Sequence, residues 1–284
     1  MAYSLRMPDR MMGFLGDTVL VNGQVGRTAV VPAGIVRLRL LNGSNARIYK
    51  FSLASGQHLH LIATEAGFMP SSTALKEITL APGERVEVLV DFTDVNNDSL
   101  VSATVSNSPM MGGGQRGGMF EVQKFSVDSR ISPKIISLLG DTGEILPDLD
   151  PINAIQRRIS LDMGMGGGMM MGCRGGAFSI NGMPFEMGRI NLQAKQGQTE
   201  LWRVTAPTMM HPFHIHGTRF QVFTENGRRP SLQNRGWKDT ILVDGTAELL
   251  MRFDYTASKE APYMYHCHIL EHEDGGMMGQ FTVS

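Results

Sequence analysis

The chain has 284 residues, enough for one large domain or two of ordinary size. Its 26 Lys and Arg nearly balance 27 Asp and Glu and are scattered, so no global field draws it to nucleic acid or an acidic membrane. No apolar run reaches membrane-spanning length, and the opening MAYSLRMPDRMM lacks the apolar core of a signal peptide.

Strand patterns dominate from the start. GIVRLRLLNG (34–43) alternates, and so does ERVEVLVDF (84–92), where Val86, Val88, Val90 and Phe92 share one face. TELWRVT (199–205), TRFQVFTENG (218–227) and AELLMRFDY (247–255) read the same way. Short strands separated by Gly, Pro and Asn turns predict an antiparallel sandwich or barrel. The chain also repeats itself: HLHLIATEAG (58–67) parallels TRFQVFTENG, and VEVLVDF parallels LLMRFDY. An all-β chain of two β-sandwich domains is expected, over 1–125 and 155–284. The stretch 126–154 alternates too little for a sheet and is expected to be a linker.

Methionine is over-used, with 21 residues, many beside glycine. SPMMGGGQRGGM (108–119) and MGMGGGMMMGCRGG (163–176) stand out; residues 163–172 are nothing but Met and Gly, with few side chains that fix a fold, so a mobile loop is expected there. Thioethers bind Cu(I), so the second run either collects cuprous ions or is a solvated loop of oxidation-prone methionines. Cys173 within it is a free thiol, an added Cu(I) ligand or incidental. With Cys267 it could make one bridge, but two cysteines make no disulfide framework.

Six of the eight histidines fall in two windows, 211–216 and 266–272. Random scatter would put about 0.4 of them there. In HPFHIHG, alternation projects His214 and His216 from one face of a strand. In HCH, His266 and His268 face one way and Cys267 the other. One strand can therefore offer imidazoles to one site and a thiolate to a second, with Cys267 and His268 joined by a single peptide unit. His272 and Met277 follow the cysteine. Two imidazoles, a thiolate and a weak axial thioether suit a blue-copper centre, which His211 completes; zinc fits less well because methionine is a poor ligand for it.

HPFHIHG with HCHILEHEDGGMM resembles the carboxy-terminal copper motifs of the multicopper oxidases, above all the laccase-like bacterial copper-efflux (cuprous) oxidases. GWKDT (236–240) and LLNGSNAR (40–47) are similar to stretches of those enzymes. The resemblance implies Greek-key, cupredoxin-like domains, namely the family's second and third, with copper ligands only in the latter. It implies that His211, Cys267, His272 and Met277 hold a type 1 copper, which takes electrons from Cu(I) or phenolic donors. His214 would be a type 2 ligand, and His216, His266 and His268 type 3 ligands, of a trinuclear copper cluster that reduces O2 to water. Cys267, His272 and His211 would carry the electron transfer. A periplasmic or secreted location is implied as well. Met209 and Met210 lie where such enzymes place substrate-copper ligands, but Pro207 stands where an acidic residue is expected.

The family completes its cluster with two further HxH motifs from a first domain. The remaining pair here, His58 and His60, falls on Thr218 and Phe220 when TEAG is set on TENG at an offset of 160, away from the ligand positions, and reads as a polar strand face. A complete type 1 site and half a cluster are therefore expected, with the rest coming from a missing first cupredoxin domain or a partner chain. The opening residues favour a truncated or artificial start. Two rivals remain: a non-catalytic blue-copper electron carrier, and a metal-free structural protein, which the complete type 1 set disfavours.

Overall fold

The computed structural model describes residues 6–105, 118–164 and 178–284. A short helix, α1 (Met7–Met12), precedes nine strands: β1 (Thr28–Pro32), β2 (Ile35–Leu41), β3 (Tyr49–Leu53), β4 (Leu59–Thr64), β5 (Gly67–Leu75), β6 (Ile78–Leu80), β7 (Arg85–Asp91), β8 (Asn97–Thr104) and β9 (Met119–Asp128). After a connection without strand or helix come β10 (Ile155–Met163), β11 (Phe178–Ile180), β12 (Leu192–Ala194), β13 (Thr199–Ile215), β14 (Phe220–Glu225), β15 (Trp237–Lys238), β16 (Thr240–Arg252) and β17 (Tyr263–Cys267). Helix α2 (Leu270–Asp274) and strand β18 (Met278–Val283) close the chain. The fold is all-β.

The first nine strands form two sheets, ordered β1-β9-β8-β3-β6 and β2-β7-β4-β5. Their shared core holds Val86, Val88, Val90 and Phe92, the face that alternation marked out in the sequence. The later strands form one sheet built on β12-β18-β17-β13-β16-β14-β15, with β10 beside β13. Trp202 is central to its core, with the rings of Phe253, Tyr265 and Phe281 within 6.2 Å. Its indole N–H donates to Glu200 Oε2 at 2.7 Å, so the ring is buried without an orphaned donor.

The sheets are mixed rather than purely antiparallel. β1 runs parallel to β9, β10 to β13 and β12 to β18. Alternation reveals a strand and its faces but carries nothing about direction, and the members of each of these pairs are separated in the chain by other strands, so no tight turn forces them antiparallel. The internal repeat is visible in the ladders. Leu61 pairs with Val88 as Val222 pairs with Leu249, and Ala63 with Glu87 as Thr224 with Glu248. The offset is 161 rather than 160: the hairpin after β4 closes at Thr64 and Gly67 and the one after β14 at Glu225 and Arg228, so the TEAG–TENG likeness is one residue out of step with the ladders. His60 thus corresponds to Gln221, still removed from His214.

One irregularity matters for function. In the β13–β16 ladder Ala206 faces Gly245, but His211 faces Val243, so residues 207–210 bulge out. Pro207 lacks the N–H that a regular ladder would use, and such breaks re-aim the residues that follow. His211 is the first residue back in register.

Candidate metal centre

Strand pairing builds the site. Phe213 faces Cys267 and His214 faces His266 across β13 and β17. Because side chains alternate, His211 lies on the Cys267 side while His214 and His216 lie on the His266 side.

On the first side, three donor atoms converge in a fully buried place. Cys267 Sγ is 3.4 Å from His211 Nδ1 and 3.6 Å from His272 Nδ1, and the two nitrogens are 3.2 Å apart. All three residues have 0 % exposure. His272 Nε2 lies 3.1 Å from the Met11 carbonyl, which can only accept, so the proton sits on Nε2 and Nδ1 presents a bare lone pair. His211 Nε2 is buried without a hydrogen-bond partner among the described residues, and two imidazoles and a thiol crowded in one dry place are a donor set that a cation would organise. Donor separations of 3.2–3.6 Å leave room for one ion about 2.0–2.3 Å from each donor. The residues therefore fit a metal. Met277 is buried beside them, its N–H bonded to the His272 carbonyl and its carbonyl to the Cys267 N–H.

Burial sets the charges. It pushes the free Cys267 thiol up, against the Ile269 N–H that donates to its sulfur at 3.4 Å. It pulls His272 down to about 4 and His211 well below the ordinary histidine value. The imidazoles are neutral and ready to ligate. Phe178 stacks on His272, ring centroids 4.4 Å apart.

On the other side His214, His216 and His266 bring one nitrogen each within 4.8 Å of the others. His216 Nε2 and His266 Nε2 are 3.1 Å apart. His266 Nδ1 donates to the Cys267 carbonyl at 2.9 Å and His214 Nδ1 to the Asp239 carbonyl at 2.9 Å, so both Nε2 atoms are bare. Burial, aided by its histidine neighbours, pulls His216 down to about 4. His268 stands slightly apart, its ring centroid 5.6 Å from that of His266 and 5.9 Å from that of His214.

The sequence reading missed the residues that hold these rings. Glu273 Oε2 lies 3.3 Å from His266 Nδ1, and Thr240 Oγ1 2.9 Å from His214 Nδ1. Glu273 sits in the quoted HCHILEHEDGGMM and Thr240 in GWKDT, so the resemblance had already drawn attention to both stretches. His58 and His60 are side by side, centroids 6.3 Å apart, and join neither group among the described residues. Met209 is buried in the core that also holds Cys267. Cys173 and most of both Gly/Met runs lie outside the described residues. No helix among the described residues is long and apolar enough to cross a membrane.

Two sequence patterns described as multicopper oxidase match residues 4–119 and 158–284. Among curated proteins the chain is 34% identical to cell division protein FtsP of Photorhabdus laumondii, over 95% of this chain and 55% of the relative, and 36% identical to FtsP of Escherichia coli K12, over 96% and 56%. It thus spans about half the length of these relatives. Among solved structures it superposes on a laccase-like multicopper oxidase CueO from Ochrobactrum sp. with a TM-score of 0.86 and 36% identity, covering 99% of this chain and 63% of that one. A multicopper oxidase of Campylobacter jejuni, titled a metallo-oxidase, gives a TM-score of 0.82 and 30% identity over 98% of this chain and 59% of the other. Sequence patterns over both halves, a shared all-β fold and two convergent donor groups on β13, β17 and α2 agree: the chain belongs to the multicopper oxidase family, which implies copper binding.

Proposed function

We propose that this chain is a copper-dependent oxidoreductase portion of multicopper-oxidase type, with 1–125 and 155–284 as its cupredoxin-like domains and 126–154 as their linker. The observation that carries the reading is the buried convergence of His211 Nδ1, Cys267 Sγ and His272 Nδ1 on one point. Those three, with Met277 axial, would hold a type 1 copper, and His214, His216, His266 and His268 half of a trinuclear cluster. Bound there, copper would supply one-electron exchange with Cu(I) or phenolic donors and, at a completed cluster, the reduction of O2 to water. The chain contributes burial that pulls His211, His216 and His272 below the ordinary histidine range, ring bonds that aim free nitrogens, and the peptide from Cys267 to His268 that spans the two sites. The other half of the cluster comes from a first domain or partner chain, in a periplasmic or secreted setting.

A second reading is a non-catalytic blue-copper carrier; what speaks for it is that the curated relatives are named for cell division and not for an oxidase activity. O2 uptake with a phenolic donor or Cu(I), together with copper counted per chain, separates the two. The chain alone is expected to hold type 1 copper firmly and cluster copper poorly, because affinity follows ligand count and enforced geometry, and to consume O2 slowly or not at all. Adding a polypeptide with two HxH motifs should restore both. A full copper complement with rapid turnover by this chain alone would overturn the half-cluster. Failure of the added motifs to bring any O2 uptake would favour the carrier.

A further inference from the structure

The first half of the chain supplies no ligand in the reading above, yet one of its turns presses against one cluster histidine and reaches the residue behind another. Residues 81–84, between β6 and β7, and Arg85, which opens β7, make these contacts. A Cβ on Gly83 would lie 2.5 Å from His268 Cδ2 and 2.8 Å from its Nε2, and the residue has φ +84°, so glycine alone lets this backbone approach the ring. Two residues on, Arg85 grips Asp239 with both arms, Nη1 to Oδ1 and Nη2 to Oδ2, each at 2.7 Å. Asp239 in turn holds His214: its carbonyl accepts from Nδ1, and its Oδ1 accepts from Thr240 Oγ1 at 2.7 Å, the hydroxyl that also faces Nδ1. Beside it Glu84, with Glu65, clasps the buried Lys238 ammonium at 3.1 Å. That anchors the turn to β15, next to Asp239.

We infer that Arg85 and Gly83 are positioning residues for the histidine group: the turn is its outer shell, with Arg85 setting the His214 ring through Asp239 and Gly83 backing His268. A bidentate guanidinium–carboxylate pair fixes a plane as well as a charge, and partners behind a ligating imidazole commonly set metal affinity by about 10- to 100-fold. The inference rests on the proposed histidine metal site but not on turnover.

The test is a Cu(II) titration of this chain followed by two signals, the thiolate-to-copper absorption for the Cys267 site and the electron paramagnetic resonance hyperfine pattern for histidine-bound copper. Arg85→Met keeps the side chain's length and leaves the Lys238 clasp in place. Its histidine-bound copper should weaken by about tenfold or more, with an altered hyperfine pattern, while the thiolate signal stays as in the unaltered chain. Asp239→Asn, nearly isosteric, is the second variant should Arg85→Met fold poorly, and it is expected to shift the same signal. Arg39→Met, which removes a guanidinium paired with Glu87 on an exposed face, is the control and should change neither signal. Wild-type affinity and hyperfine pattern in a folded Arg85→Met or Asp239→Asn protein overturn the inference. Equal loss of both signals in the folded variants also overturns it, because the effect is then general loosening. An absent histidine-copper signal in the unaltered chain sinks instead the proposed metal site.

Discussion

Lys238→Met is the severest single test of the contact between the two halves. The Lys238 ammonium is 3.1 Å from both Glu65 Oε1 and Glu84 Oε1, and all three side chains are at most 2 % exposed. One cation thus serves two buried carboxylates. Burial, reinforced by repulsion from Glu84 and opposed by Lys238, pushes Glu65 up to about 7. Methionine fills the space of the lysine stem but takes the ammonium away from both carboxylates, leaving only the Arg85 guanidinium nearby, and removing one partner of a buried ion pair costs about 3–5 kcal/mol. For a chain of this size that lowers the thermal midpoint by on the order of 10 °C. The pH dependence has a definite sign. A carboxyl raised from 4.5 to about 7 binds more protons folded than unfolded, so its stabilising contribution is complete below 4.5 and is lost as pH rises through about 7. Without Lys238 the same carboxyl is raised further, so the variant's deficit should be larger near pH ~8 than near pH ~5, by up to about 1.4 kcal/mol per unit over the added range. Thermal unfolding of both proteins at the two pH values measures this. A deficit below about 1 kcal/mol, or one that shrinks as pH rises, would refute the reasoning.

Met277→Leu should keep the copper and raise its reduction potential, since the backbone bonds from Met277 to Cys267 and His272 persist and only the weak axial thioether is lost; redox titration decides, and a lowered potential or copper loss contradicts the axial role. Gly13→Ala should displace the segment that carries Met11, because a Cβ there meets Ala46 Cβ at 2.2 Å and Ile269 Cγ2 at 2.8 Å on a φ of +79°. In the copper-free chain His272 should then become reactive to diethyl pyrocarbonate, mapped by mass spectrometry, whereas Gly16→Ala, with nothing within 4 Å, should leave it protected. Equal protection in both variants counts against the covering role of Met11. Trp202→Ala should cost about 3–5 kcal/mol by chemical denaturation, as expected for a large ring removed from a packed core; a cost under about 1 kcal/mol would mean that the ring cluster is not central to folding.

The donors were legible in the sequence because chemistry and period coincide there. HxH on a strand puts two imidazoles on one face whatever the rest of the chain does, and the thiolate between His266 and His268 must point the other way. Val86, Val88, Val90 and Phe92 were legible for the same reason. What holds the donors was not legible. Arg85 and Asp239 meet across 154 residues, and nothing local in either segment marks the pairing. The group bonded to His272 Nε2 is the carbonyl of Met11, a backbone atom that leaves no trace in residue type. Gly83 sits in an Ala-Pro-Gly-Glu stretch typical of a turn, and nothing in that stretch marks the His268 ring that packs against it. Strand direction was equally silent, and so was the one-residue difference in repeat offset, which appears only where the ladders fix register.

The most direct measurement is the visible absorption of this chain as copper is added, compared with Cys267→Ser. If His211, Cys267 and His272 hold a type 1 copper, an intense thiolate-to-copper band grows to saturation at one band-forming copper per chain and is absent from the serine variant. No such band in the unaltered chain, or the same band in Cys267→Ser, contradicts the assignment.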